Sequence, residues 1–431
     1  MRVLFLTDKY YPRPFANAVC AQNVARSFVE AGHEADVIAF DDPFESLPSE
    51  LDGVRVYGVR PDERLKLFYF ASDLPGDRKA KVAMAAFRFL NFASRLSNWM
   101  RYPLASKALS QRVANLAICL HHVKPYDCIV ATCCPVECIE AAVRVRACLP
   151  GIPLFAYCVD YIPNTLRRHI SKEKQASASE YWVDRIGRNF DHVIGMAFEE
   201  GWYRSSYAAA PRAQVLISDL PLLSKAPAAT DSVTTASGDW VYAGSLSREH
   251  YNPIPAMETF FWLSAHGIIG SATFHIVGRG DLARLCKEWE ARTGGAIQFH
   301  DYMAHSELEK MYENASVLVS MKCSDQISAK VFEYMAQEKP LLHFSGHLED
   351  PDRQYVDRYR LGLTVDVLEG GPEAWGSQVT EWLSIIDDLS LPPGWTSEFE
   401  KNRPSYTRDL ILSRINTNPC GFWSGASHVV S

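Results

Sequence analysis

Apolar runs of strand length alternate with helical patterns along almost the whole chain. RVLFLTDKYYP opens it, a helical pattern from Asn17 to Ala31 stops at Gly32 and His33, and EADVIAF follows. Run, helix and second run, with glycine at the helix stop, predict the first βαβ unit of a doubly wound domain. PYDCIVAT, IPLFAYCVDYIP and FDHVIGMA predict further buried strands, and AQVLISDLP one more. The stretch SKAPAATDSVTTASGD, rich in Ala, Ser and Thr and poor in large apolar residues, has linker composition. After it the same grammar restarts with DWVYAGSLS, TFHIVGRGDL and IQFH. The pattern predicts an α/β chain of two domains, residues 1–220 and 241–431, with a linker at 221–240.

The most informative stretch runs from Ser316 to Phe344: a strand-like run to Met321, a polar loop, a helical pattern from Ser328 that stops before Pro340, and a second apolar run. Ser328 is the expected N-cap, which aims the first N–H groups of the helix out of the carboxyl edge of the sheet, where open α/β sheets bind ligands. Lys330 falls in the first turn, where the macrodipole disfavours a cation, and Glu333 follows three residues later on the same face. Two readings fit. Either this is a surface helix with a weak Lys330–Glu333 ion pair, or a diphosphate binds the N–H groups and the ammonium while Glu333 takes a ribose diol and Asp325 the next group along the ligand.

A second unusual stretch, from Arg78 to Arg112, carries eight cations and no acid. Val82, Ala86, Phe89, Ala93, Leu96 and Met100 recur at helical spacing, and Lys81, Arg88 and Arg95 form another stripe with Phe92 and Trp99 beside it. Such a helix either packs on the core with a solvated basic side or contacts an anionic membrane surface.

At 431 residues the chain has room for two cores, and 47% hydrophobic with 22% charged residues is a globular composition. The net charge of -7 argues against a general nucleic-acid binder. No run approaches the roughly 20 apolar residues of a membrane span, and Met1 leads straight into a strand pattern, so a cytoplasmic protein is expected. Cys133, Cys134 and Cys138 crowd together but lack the C-x-x-C spacing and a nearby His, so no metal is expected there. Asp350 and Asp352 form a D-x-D that reads as part of a turn.

Asp325, then QISAKVF, then Glu333, with Tyr334, Met335, Ala336, Lys339 and Pro340, resembles the donor-nucleotide motif of the retaining GT-B glycosyltransferases, specifically glycosyltransferase family four. The first acid is one methylene shorter than the usual Glu, and Glu338 stands where that family has Gly. The resemblance implies two doubly wound Rossmann-like domains facing a cleft, with the last helix returning to the first domain. It implies a nucleotide-sugar donor and a glycan or lipid-linked acceptor of cell-envelope polysaccharide synthesis. No cofactor or metal is required. It places donor binding at Gly244, Ser245, Arg248, Gly278, Ser328, Lys330 and Glu333. The acceptor side falls at Ala16 and Asn17, and the catalytic roles at Asp325 and at Asp160, which lies in a D-x-x-P pattern. Ser245 and His250 replace the Arg and Lys that this family sets against the donor diphosphate, and Arg248 between them is the expected substitute. Peripheral contact with the inner face of an anionic membrane would suit a lipid-linked acceptor. The alternatives are a degenerate nucleotide-sugar binder or scaffold, and a nucleotide-sugar epimerase on the same fold.

Overall fold

The computed structural model describes residues 1–11, 14–41, 46–73, 78–97, 106–159, 172–223, 238–301, 303, 305–325 and 327–416. The chain divides into two units, Met1–Pro221 with Lys401–Ser431, and Leu222–Glu400.

The first unit carries β1 (Arg2–Lys9), α1 (Ala16–Glu30), β2 (Glu34–Phe40), β3 (Glu50–Leu51), β4 (Val54–Val59), α2 (Glu63–Asp73), α3 (Arg78–Ser97), α4 (Lys107–Val123), β5 (Cys128–Thr132), α5 (Val136–Cys148), β6 (Leu154–Tyr157), α6 (Lys172–Asn189), β7 (His192–Met196), α7 (Glu200–Ser206) and β8 (Gln214–Ser218). Its sheet has the order β3-β4-β2-β1-β5-β6-β7-β8, parallel except at the β3–β4 edge. All eight residues of β1 are buried, as a strand covered on both faces requires. β1 pairs with both β2 and β5, so the strand order reverses between β1 and β5. At the end of α1, Gly32 adopts φ +79° and His33 N returns to Phe28 O at 2.9 Å, the glycine stop that the pattern predicts.

α3 turns a different face inward from the one its apolar periodicity suggests. Val82 and Phe89 are 69% and 68% exposed, whereas Ala80 and Ala83 are buried. Phe87 packs on Phe68 of α2 at 5.1 Å between ring centroids. The small alanines let α3 lie close on α2, and that fit outweighs burial of the larger side chains.

The second unit carries β9 (Trp240–Leu246), α8 (Ile254–Ala265), β10 (Phe274–Gly280), α9 (Ala283–Arg292), β11 (Ile297–His300), α10 (His305–Asn314), β12 (Val317–Lys322), α11 (Ala329–Met335), β13 (Leu341–Ser345), α12 (Arg353–Val356), β14 (Gly362–Asp366) and α13 (Pro372–Ile386). Its six parallel strands run in the order β11-β10-β9-β12-β13-β14, with the reversal between β9 and β12. Gly278 of β10 pairs with Gly244 of β9, and a Cβ on Gly278 would lie 2.0 Å from Gly244 O. Close backbone approach therefore demands glycine here. Past α11, Glu338 adopts φ +55°, which explains why glycine suits this position; its Oε1 accepts from Trp395 Nε1 at 3.0 Å. Lys339 is buried and its ammonium donates to Glu313 O and Ala315 O at 2.5 and 2.7 Å, closing the end of α10.

From Lys401 the chain belongs to the first unit again. There α14 (Pro404–Asn416) packs on α1, with Ser27 Oγ donating to Pro404 O at 3.3 Å and Arg408 Nη1 to Ser27 O at 3.1 Å.

Candidate functional site

The second unit gathers its chemistry at the carboxyl ends of β9 and β12, the strands between which its order reverses and where open α/β sheets take ligands. Tyr334 of α11 accepts from Ala243 N at 2.9 Å and donates to Ala243 O at 3.2 Å, which docks the helix beside Gly244. The Tyr242 hydroxyl donates to Ser245 O at 2.6 Å. Cys323 N donates to His250 O at 2.9 Å, tying the loop after β12 to the turn after β9 that the Ser247–Tyr251 bridge closes. Gly244, Ser245 and Arg248 thus share one edge with Asp325, Ser328, Lys330 and Glu333, and Gly278 supports it from β10. Ser245 and Arg248 are exposed, and Asp325 is half-buried in the loop before α11.

Two of the N–H groups expected to await an anion are already engaged. Ser328 N donates to Asp352 Oδ1 at 2.7 Å, and the Ser328 hydroxyl accepts from Lys330 N at 3.3 Å. Those two groups are therefore not free to receive an anion. Lys330 Nζ lies 2.6 Å from Glu333 Oε2, with the two side chains 32% and 39% exposed. A pair so exposed contributes at most about 1 kcal/mol to stability. Burial works against the Lys330 charge, but Glu333 and then Tyr334 hold its ammonium above the usual lysine range, so it is charged at neutral pH.

Beneath this edge lies a charge network that sequence reasoning missed. Lys322, the last residue of β12, is fully buried, its Nζ has no hydrogen-bond partner, and it stands 4.9 Å from the centre of the Tyr251 ring. Asp352 is its electrostatic counterpart. Burial pushes the Asp352 carboxyl up to about 6, against the pull of Lys322 and His343. Asp350 Oδ1 accepts from Asp352 N at 2.9 Å, and Asp350 Oδ2 lies 2.8 Å from His343 Nε2. Burial alone would raise Asp350, but its contacts with His343 hold it below the usual carboxylate range. The D-x-D lies in a turn before α12, as its composition suggests, but both carboxylates are buried, and Asp352 anchors the donor-side loop at Ser328. His343, Asp350 and Asp352 set ligand atoms within 4.8 Å of one another, yet the Lys322 charge acting on Asp352 opposes a dication there. The only sequence signal for Lys322 was a lysine closing an apolar run.

The raised Asp352 pKa has a definite sign. The native state holds that proton more tightly than the unfolded chain, so stability from this group is full below about pH 4 and falls as pH rises through about 6, by about 3 kcal/mol. Asp352→Asn keeps an oxygen for Ser328 N and removes the ionisation. Relative to wild type, the variant is expected to gain stability between about pH 4 and 6.5, read from urea midpoints at several pH values; parallel profiles would refute it.

In the first unit the matching edge lies at the carboxyl ends of β1 and β5. Ala16 and Asn17 open α1; Ala16 is exposed, while Asn17 is buried and donates Nδ2 to Cys134 O at 2.8 Å. Both line a cavity of about 380 Å³. Asp160 lies outside the described residues. Cys133 and Cys138 are buried, and burial pushes the Cys138 thiol well up, which disfavours the thiolate a metal would need.

No family model and no curated protein matches the chain. Solved structures do. An α,α-trehalose-phosphate synthase (UDP-forming) from Burkholderia xenovorans, in complex with glucose-6-phosphate, matches with TM-score 0.59 and 13% identity over 96% of this chain and 100% of that one. A sucrose-phosphate synthase from Thermosynechococcus elongatus matches with TM-score 0.53 and 14% identity over 97% of each chain. A lipopolysaccharide outer core galactosyltransferase matches with TM-score 0.51 and 11% identity over 96% of this chain and 100% of that one. At such identities the likeness shows the fold: two Rossmann-like domains of the GT-B type.

Proposed function

We propose that the chain is a glycosyltransferase that moves a sugar from a nucleotide-sugar donor to a hydroxyl of a glycan or lipid-linked acceptor, with retention at the anomeric carbon, in cell-envelope polysaccharide synthesis. The observation that carries this reading is the docking of α11 through Tyr334 beside Gly244, which sets Lys330 and Glu333 at the strand-order reversal of the second unit. In this scheme the Lys330 ammonium leaves its pair with Glu333 to stabilise the departing diphosphate, with Arg248 from the exposed turn after β9. Glu333 takes the ribose hydroxyls and Asp325 the hydroxyls of the donor sugar. Catalysis is then positioning and charge stabilisation by the side chains, and no step is assigned to a metal.

Ser245 and His250, standing where donor cations are expected, favour a second reading in which the chain binds a nucleotide sugar without transferring it. Thermal shift against nucleoside diphosphates and their sugar conjugates tests the donor site, since a ligand of the native state raises the melting temperature. A selective rise with one diphosphate, lost in Lys330→Ala, is expected. Silence across the panel would overturn the donor site, and slow donor hydrolysis without acceptor would reject the binding-only reading.

No helix among the described residues is long and apolar enough to cross a membrane. The outward Val82 and Phe89 of α3, beside exposed Lys81 and Arg88, support peripheral contact with an anionic bilayer at the inner membrane face. Lys81→Glu with Arg88→Glu is expected to lower the affinity for phosphatidylserine-containing vesicles in co-sedimentation by about thirtyfold or more, each cation near such a surface being worth about 1 kcal/mol and the new carboxylates adding repulsion. Unchanged binding would return α3 to a solvated helix.

A further inference from the structure

His275 of β10 and His300 of β11 face each other on one side of the second sheet. Val277 pairs with His300 across these parallel strands, and His275, two residues earlier, projects from the same face. His275 Nδ1 and His300 Nε2 lie 3.2 Å apart. On the far side of the His275 ring, Nε2 lies 3.5 Å from Asp239 Oδ2. Asp239 is itself fixed: its Oδ1 accepts from Thr273 N at 2.8 Å and its main-chain oxygen from Ser316 N at 2.8 Å. The carboxylate favours the His275 proton on Nε2, which leaves the Nδ1 lone pair toward His300.

This arrangement has the parts of a metal site. Two imidazole nitrogens bound to one tetrahedral zinc, each at about 2.0–2.1 Å, lie about 3.3 Å apart, close to the separation of these two rings. A carboxylate on the far nitrogen of a ligating imidazole fixes its tautomer and raises its basicity. Burial, and then His275, lower the His300 pKa against the pull of Glu290, so this ring is neutral at neutral pH and has a lone pair to offer. Glu290 of α9 and Asp239 both bring negative charge to the pair, which favours a dication. The His275 side chain is 16% exposed and that of Asp239 49%, so an ion and its waters can enter.

We infer that His275 Nδ1 and His300 Nε2 bind a divalent ion that prefers imidazole, of the zinc, nickel or copper class, with Asp239 as the orienting carboxylate behind His275. When the ion binds, the His300 proton sits on Nδ1, a modest turn of the ring aims Nε2 at the ion, and water completes the coordination. The ion joins β11, the four-residue strand at the edge of the sheet, to β10, and so stabilises that edge.

Calorimetry with Zn2+ on the full chain, with melting curves on the same samples, tests this. Zn2+ is expected to bind and to raise the melting temperature, whereas Mg2+, which prefers oxygen ligands, is expected to do neither. His275→Gln and His300→Gln should each weaken Zn2+ binding by at least about a hundredfold, and Asp239→Asn, which touches only the orienting group, by about tenfold. His266→Gln removes an exposed histidine just past α8 and should bind as wild type does. Equal affinity in wild type and His300→Gln, or the same loss in His266→Gln, would overturn the inference. Cu2+ on the wild-type chain gives a check that needs no variant. Its electron paramagnetic resonance spectrum is expected to show coupling to two imidazole nitrogens, and coupling to a single nitrogen, or to none, would reject the pair as the site.

Discussion

Replacing Glu333 by Ala is expected to weaken nucleoside diphosphate binding by about a hundredfold while moving the melting temperature by no more than about 2 °C. The two effects separate because the side chain does different things in the two states. In the free protein Glu333 is 39% exposed and bonded to Lys330, so its removal deletes a pair worth at most about 1 kcal/mol. In the proposed complex it would accept two charge-assisted hydrogen bonds from a ribose, each worth about 1.5–3 kcal/mol. α11 keeps its place in the variant, because Tyr334 still bonds Ala243 and Ser328 is still held by Asp352. Calorimetry against the diphosphate chosen by thermal shift, with a melt on the same sample, checks both halves. Unchanged affinity would show that α11 takes no part in donor binding, and lost affinity with a collapsed melt would mean that Glu333 acts through the fold.

Gly278→Ala is expected to be far more damaging to the fold, costing about 3 kcal/mol or more. The new Cβ would meet Gly244 O at 2.0 Å, and that oxygen belongs to the backbone of the paired strand, so no side chain can rotate away. Relief requires β9 and β10 to part at the edge where Gly244 and Ser245 sit, so donor binding should fall with stability. Gly201→Ala is the control: it lies in α7, nothing is within 4 Å of its added Cβ, and alanine should be neutral or mildly stabilising there. Urea midpoints for the two variants decide the matter. Equal midpoints would mean that β9 and β10 are not as close as the structure has them.

Much of the candidate donor edge was legible in the sequence because its parts are neighbours along the chain. Asp325, Ser328, Lys330 and Glu333 fall within one loop and helix, and an apolar run, a cap and a proline stop delimit those elements locally. The Lys330–Glu333 contact was legible too, since residues three apart on a helix must face each other. What the sequence left open depends on what lies across space. Periodicity showed that α3 is amphipathic but not which stripe faces α2, and Ala80 and Ala83 won over Val82 and Phe89 because they allow closer packing. The D-x-D reads as a turn by composition, whereas its inward orientation depends on His343 and Lys322 arriving from neighbouring strands.

The sequence by itself therefore determined the strand and helix periods, the two doubly wound halves and the local order of the donor loop, because each rests on backbone preferences and side-chain spacing within about a dozen residues. The tertiary structure decided which free N–H groups were already taken, which charges lie buried under the edge, and which side chains close round the pocket of the first unit. Those are matters of non-local packing: Asp352 reaches Ser328, and Phe15 meets Phe68, only when distant segments are brought together by the sheets.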